Sequence, residues 1–325
     1  MPADEAQHEV SVILCSRNRA EHLRKTLQSL REVSVPEDWN AEFCLVDNAS
    51  ADATAEVMRA FDHPEMEVRI VREEKNGLSH ARNRGVEEAT GKVLLFTDDD
   101  VRVPRDWIEG MATPILEGEA DAVAGGVKLA EGVRADWMSP VHRSLLASTE
   151  EIDPEQPGRM VGANMAIAAR VFEEIPRFDP ELGAGKLGAG EETLFSWKMK
   201  EARFHLTTAF DVTVEHCPDQ DRLKPEHFRE LARRRGCSGG YINYHWRHHT
   251  EWSSVALFAG VVVFRARLLW SRLRHFSVSR DDGYVSAEEI ELVKRLFRVR
   301  QHLIERKREP KYAPYGLSVE DEDAG

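Results

Sequence analysis

The chain has 325 residues, enough for one large domain with an appendage or for two modest domains. Hydrophobic residues make up 42% and charged residues 31%, the balance of a soluble globular protein with a charged surface. A net charge of −13 argues against wholesale nucleic-acid binding. Four cysteines, Cys15, Cys44, Cys217 and Cys237, with no CxxC pair, make no disulfide scaffold.

Met1–Glu9 is polar and acidic, without the pattern of a secretory signal, so a reduced, cytoplasmic setting is expected. Val10–Leu14 is a short apolar run with β-branched residues, as in a buried parallel strand. Ser16–Arg19 follows, and then a helical spacing of Leu23, Leu27 and Leu30. Phe43–Val46 predicts a second strand that ends in Asp47-Asn48-Ala49-Ser50, and Ala51–Phe61 a second helix. Val68–Val71 predicts a third strand, Leu78–Ala89 a third helix, and Lys92–Thr97 a fourth strand that runs into Asp98, Asp99 and Asp100. Strands alternating with helices over short connections imply βαβ units and a mostly parallel α/β sheet. In such sheets ligands bind beyond the carboxyl ends of the strands. Asn18, Asp47 and Asp98–Asp100 all fall there.

After Lys128 the order loosens. Gly162-Ala163-Asn164-Met165, Phe178-Asp179-Pro180 and Gly183–Gly190 predict loops around short elements. Glu191-Glu192 opens an apolar, helix-like run, and Val212–Val214 predicts a strand that leads to His216. Trp107 and Trp197 fit a core better than a sugar-stacking surface. Ser286–Arg308 predicts a last helix, with Ser286 as N-cap and Glu289 completing a capping box.

Three adjacent carboxylates at a buried strand's end repel one another unless a cation or water screens them. Oxygen ligands of this kind suit Mg²⁺ or Mn²⁺. Side-chain alternation would put Asp98 and Asp100 on one side and Asp99 on the other. A solvated acidic turn, with Asp99 or Asp100 capping the next helix, fits the local sequence equally well. Asp47-Asn48 and Asn76-Gly77 fit ordinary turns, and Glu191-Glu192 fits acidic residues in a helix's first turn.

An ordered set of segments resembles glycosyltransferase family 2. It comprises Val10–Arg19 with Leu23 and Leu30; Val46–Ser50 with Asp52 and Thr54; Asn76–Ser79 with Ala81-Arg82-Asn83-Gly85; and Phe96–Asp100 with Trp107. Gly162–Met165, Phe178-Asp179, Gly190-Glu191-Glu192 and Val214 with His216 complete it, so that the likeness covers residues 8–236. The resemblance implies a GT-A fold, a Rossmann-like sheet flanked by helices, and an inverting transferase that takes its sugar from a nucleotide-diphosphate donor. It implies donor contacts at Ser16, Arg17, Asn18, Asp47, Asn76, Arg82, Asn83, Asp98 and Asp99. Asp98 and Asp100 occupy the family's DxD positions and imply, with His216, a Mn²⁺ or Mg²⁺ site. Family members commonly carry Glu-Asp where this chain has Glu191-Glu192. That departure leaves open which of the two takes the acceptor's proton. The acceptor, a glycan or a lipid-linked glycan, is expected to enter over Gly183–Gly190. A sugar-1-phosphate nucleotidyltransferase is the rival enzyme, but Cys15–Arg19 lacks the glycines its triphosphate loop would need. A non-catalytic nucleotide-sugar binder is the other.

The expected domains are a disordered stretch at 1–7, the catalytic domain at 8–236, a helical region at 237–312 and an acidic disordered tail at 313–325. Between Arg222 and Arg274 eleven Lys or Arg face three Asp or Glu, so this stretch carries +8 and the rest −21. Arg233-Arg234-Arg235 suits either an anion site or a solvated helix face. Ser253–Trp270 is the most apolar stretch but is interrupted by Arg265 and Arg267, so it is too short to span a bilayer. With Trp252, Phe258, Phe264 and Trp270 it suits a helix in the membrane interface, at the inner face of the cell membrane, or a buried packing or homodimer helix.

Overall fold

The computed structural model describes residues 8–249, 253–274 and 284–313. The chain divides into two compact units. The first comprises residues 8–130, 147–181 and 191–217, and the second 131–146, 182–190 and the chain from Pro218 on. The expected disorder at 1–7 and 313–325 falls, apart from Ala313, outside the described residues, as does Trp252.

The first unit is a layered α/β sheet. Strands β1 (His8–Ser16), β2 (Ala41–Asp47), β3 (Glu67–Arg72) and β4 (Gly91–Thr97) are joined by helices α1 (Ala20–Leu30), α2 (Thr54–Arg59) and α3 (Leu78–Glu88). The four strands are parallel in the order β3-β2-β1-β4. β5 (Val101–Arg102), α4 (Trp107–Leu116) and β6 (Ala122–Leu129) follow, and β7 (Asn164–Ala168) pairs antiparallel with both β4 and β6. β8 (Leu206–His216) runs parallel to β6 and antiparallel to β5 at the edge. The apolar runs of β1, β2 and β4 become buried strands because helices cover the sheet, whereas edge strand β3 buries only Val71, and Leu23, Leu27 and Leu30 of α1 sit at the core. Trp107 is fully buried, as expected of a core residue.

α2 is shorter than the expected 51–61. Asp52 folds back to accept hydrogen bonds from the Thr54 N–H at 3.0 Å and the Thr54 hydroxyl at 2.5 Å, a local turn that delays the helix. Asn164, at the start of β7, is wholly buried. Its side-chain amide donates to Gly126 O and Val212 O, each at 2.9 Å, and its oxygen accepts the Trp107 indole N–H at 2.8 Å. One side chain thus ties β6, β8 and α4 to the sheet beside the fourth strand.

The second unit contains α5 (Pro140–Leu145), α8 (Pro225–His245), α9 (Ser254–Arg274) and α10 (Ala287–Glu305); α6 (Val171–Glu174) and α7 (Glu191–Glu201) belong to the first. Residue 236, the expected domain boundary, lies inside α8. Gly236 and Gly240 let α8 approach α10 closely: a Cβ on Gly236 would lie 2.5 Å from the Lys294 carbonyl. Ser286 caps α10 by accepting the Glu289 N–H at 3.1 Å, but the capping box is only half made. The Glu289 carboxylate is taken instead by Arg229 and Arg272, so charge pairing wins over the helix's own first amide.

Asn164→Ala leaves the Trp107 N–H and two carbonyls unpaired in a dry core. It should destabilise the fold by about 2–4 kcal/mol in urea denaturation. A loss under roughly 0.5 kcal/mol would show that the pinning is dispensable.

Candidate active site

β4 ends at Thr97, and the backbone turns at Asp98–Asp100 rather than continuing as a strand. The expected alternation therefore fails. Asp99 and Asp100 share one partner, Arg19, whose Nε lies 2.9 Å from Asp99 Oδ1 and whose Nη2 lies 2.8 Å from Asp100 Oδ2. The Ser16 hydroxyl donates to the other Asp99 oxygen at 2.5 Å. Burial pushes the Asp99 carboxyl well above the usual carboxylate range; Arg19 works against that and Asp100 adds to it. Asp98 turns the opposite way, to Arg82 Nη2 at 3.2 Å, and a third of its side chain stays open to solvent.

Arg82 is the centre of the site. It sits on α3 and is almost wholly buried, between Asp98 and Glu191 Oε1, the latter at 2.8 Å. Its guanidinium lies over the Phe178 ring, 5.9 Å from the centroid. Burial works to lower its affinity for the proton, but Asp98 and Glu191 outweigh that, and it is held above its ordinary value. Gly162 makes the room, since a Cβ there would collide with the guanidinium.

Glu191 and Glu192 open α7. Glu191 is buried against Arg82, whereas Glu192 is partly open, with the Arg159 guanidinium 4.0 Å away. The second oxygen of each is buried and receives no N–H among the described residues. Burial first, and then the Glu192 carboxylate, push Glu191 above the usual range, with Arg82 opposing.

His216 reaches the aspartates through the sheet edge. β5 and β8 pair Val101 with His216, and the Cys217 N–H donates to Asp100 O at 2.7 Å. His216 Nε2 is then 3.3 Å from Asp100 Oδ1. That spacing is close to the roughly 3 Å between neighbouring ligands on an octahedral ion with bonds of about 2.1 Å. Carboxylate plus imidazole is a donor pair that Mn²⁺ accepts. Asp98, expected as a third ligand, is turned to Arg82 instead, because a buried guanidinium needs a second counter-charge beyond Glu191. No group of three His, Cys, Asp or Glu side chains converges on one cation position among the described residues.

The remaining sequence candidates form the rim. Asp47 accepts from Arg72 Nη1 at 2.6 Å and from the Ser50 N–H at 3.0 Å. Arg17 is exposed and donates to Asn48 O at 3.0 Å. Asn18 has a positive φ of 53° and accepts the Ala51 N–H at 2.7 Å, clipping the first loop to the second. Asn76 is exposed. Both ends of the Asn83 amide are taken by the Phe178 backbone, at 2.9 and 3.1 Å, so it anchors the loop under Arg82.

Arg19 was not among the sequence candidates. Its signal was electrostatic: a cation just after β1 has to face the aspartates just after its neighbour β4. In the second unit, Arg233 and Arg234 both close on Glu230, which they hold down at about 2, and Arg235 donates to Ser144 O at 2.7 Å. That triplet is a structural helix face.

The family described as glycosyl transferase family 2 matches residues 11–175, just over half the chain. The glycosyltransferase AglE of Haloferax volcanii is 27% identical over 212 residues, covering 64% of this chain and 66% of its own. The chain thus spans about two thirds of that relative's length, and less than half of several others'. The mannosyltransferase PcManGT of Pyrobaculum calidifontis, solved with GDP-Man and Mn²⁺, superposes with a TM-score of 0.52 at 19% identity, over 91% of this chain and 70% of that one. TarS 1–349 of S. aureus, solved with UDP-GlcNAc, gives 0.52 at 17% over 94% of each. The likeness establishes the GT-A fold.

The raised Glu191 has a consequence for stability. Below its ordinary value of 4.5 both folded and unfolded chains carry the proton. As pH rises above that, the unfolded chain releases it while the folded chain keeps it, so stability falls with pH until the folded value is passed. Glu191→Gln removes this dependence. In urea unfolding between pH 4.5 and 8 its stability should improve steadily relative to the parent chain. The opposite trend would mean that Arg82 keeps Glu191 ionised.

Proposed function

The chain belongs to glycosyltransferase family 2, and from that premise we propose that it is an inverting glycosyltransferase that moves a sugar from a nucleotide-diphosphate donor to a hydroxyl acceptor. The observation that carries this reading is the convergence, beyond the carboxyl ends of β1, β2 and β4, of Asp98–Asp100, Arg82, Glu191-Glu192 and His216. Such a set offers charge for a diphosphate and a carboxylate for an acceptor. PcManGT and TarS, solved with GDP-Man and UDP-GlcNAc, support a nucleotide-sugar donor in this fold.

In this reading the donor nucleotide lies over Asp47, Arg17, Asn18 and Asn76, with Ser16 and Asp99 below it. Asp100 and His216 would hold Mn²⁺ or Mg²⁺, which would offset the charge of the departing diphosphate. Asp98 and Arg82 face the diphosphate, and Arg82 exchanges part of its pairing to Asp98 for phosphate oxygens. Glu192 is the base. It is the more open carboxyl, whereas Glu191 is buried against Arg82. The acceptor oxygen attacks the anomeric carbon as the bond to the diphosphate breaks. The electron pair leaves with the phosphate oxygen, and the acceptor's proton passes to Glu192. Glu191 is a positioning residue: it fixes Arg82.

The test is release of nucleoside diphosphate from a panel of nucleotide sugars with Mn²⁺. Glu192→Gln should lower kcat at least 100-fold with little change in KM. Glu191→Gln should lower kcat less and weaken donor binding, because Arg82 loses its anchor. Equal turnover in the parent chain and Glu192→Gln would remove Glu192 as base. No release from any donor would remove the transferase reading itself.

A further inference from the structure

Helix α9 is partly seated on its own unit and partly bare. Leu257, Val261 and Ser271 are buried, with Gly260, Phe264 and Leu268 half-covered. At about 100° per residue these fall along one side of the helix. The opposite side carries Val255, Phe258, Val262, Leu269, Trp270 and Leu273, each more than half exposed. No charged side chain interrupts that strip. Its two edges carry arginines: at the same turn per residue Arg265 and Arg272 fall along one, and Arg267 and Arg274 along the other. Arg272 and Arg274 are paired with Glu289 and Glu288, so Arg265 and Arg267 carry the basic charge of the edges.

A soluble helix keeps its polar side outward. α9 does the reverse, and the cost of wetting so much apolar surface requires an occupant. A second, independent feature indicates what kind. Between α9 and α10 lies a cleft of about 340 Å³, lined by Leu257, Gly260, Phe264, Arg295, Arg298 and Val299. Arg298 is held below its ordinary value, first by burial and also by the positive charges of Arg247 and Arg295, against Glu291 alone. Glu291 is already paired with Lys294 at 2.6 Å. An apolar cleft with an excess of guanidinium at its edge matches an acyl chain topped by a phosphate.

We propose that the exposed face of α9 seats the protein on an anionic lipid bilayer, with Arg265 and Arg267 at headgroup level and the Arg295–Arg298 cleft receiving a lipid phosphate. Contrary to the expectation that Arg265 and Arg267 leave the run too short, the helix is by length and composition apolar enough to cross a membrane. It does not cross here, because Ser271 and Arg272 are bonded to Glu288 and Glu289 of the highly charged α10, which would have to enter with it. A second copy of the chain fits less well than lipid. Two such faces in contact would set arginine edges against arginine edges.

Co-sedimentation of the full chain with vesicles tests this. Binding is expected to vesicles of phosphatidylcholine with 30% phosphatidylglycerol (about that fraction sets a physiological surface charge), and to weaken severalfold in high salt. Val262→Glu with Leu269→Glu should lower it at least tenfold. Arg295→Ala with Arg298→Ala should lower it severalfold on anionic vesicles only. All four positions lie at or near the surface, and an unchanged thermal melt establishes that each variant is folded. Absence of binding by the parent chain, or equal binding to pure phosphatidylcholine, overturns the proposal. So does sedimentation velocity showing a dimer that Val262→Glu with Leu269→Glu converts to a monomer.

Discussion

Two guanidiniums hold together what would otherwise be a repulsive cluster. Asp98, Asp99, Asp100 and Glu191 come from two distant parts of the chain, and Arg82 and Arg19 lie between them at 2.8–3.2 Å. A buried carboxylate without a counter-charge costs several kcal/mol, so neither arginine is separable from the acids it faces. The surroundings are arranged around Arg82 in particular. Gly162 gives it space, Phe178 lies under it, and Asn83 fastens the Phe178 backbone. Removing Arg82 would strand Asp98 and Glu191 together, which is a larger insult than removing either acid.

The same arrangement explains how the site can serve a charged ligand. Its negative groups are balanced by arginines, so an incoming diphosphate and cation would exchange partners rather than enter an unscreened field. Asp100 is the hinge of that exchange, with one oxygen on Arg19 and the other facing His216. Glu191-Glu192 divides its work by burial. The covered carboxyl is paired with Arg82, and the other stays more open, near Arg159.

Much of this was legible in the sequence. The runs at 10–14, 43–46 and 92–97 each became a parallel strand because a buried strand has a strong and local apolar signature, and 68–71 became the more exposed edge strand β3. The clustering of Asp47 and Asp98–Asp100 at strand ends followed from topology alone. What failed was geometry set by tertiary charge. The alternation of the aspartates depended on β4 continuing past Thr97, and it does not. The capping box lost its second bond because Arg229 and Arg272, distant in sequence, compete for Glu289. Arg19 looked like a loop polar residue and Asn83 like a donor contact, and only the three-dimensional neighbours Asp99 and Phe178 show what each side chain bonds to.

The most direct test of the central claim is the position of a divalent ion in a crystal of the chain grown with Mn²⁺ and a nucleoside diphosphate. Anomalous scattering from manganese locates the ion without assumption. The account predicts a single peak bonded to Asp100 and His216, with the diphosphate on its far side and Arg19 withdrawn from Asp100. A bound diphosphate with no manganese beside Asp100, or manganese held only by residues away from the Asp98–Asp100 turn, would contradict it.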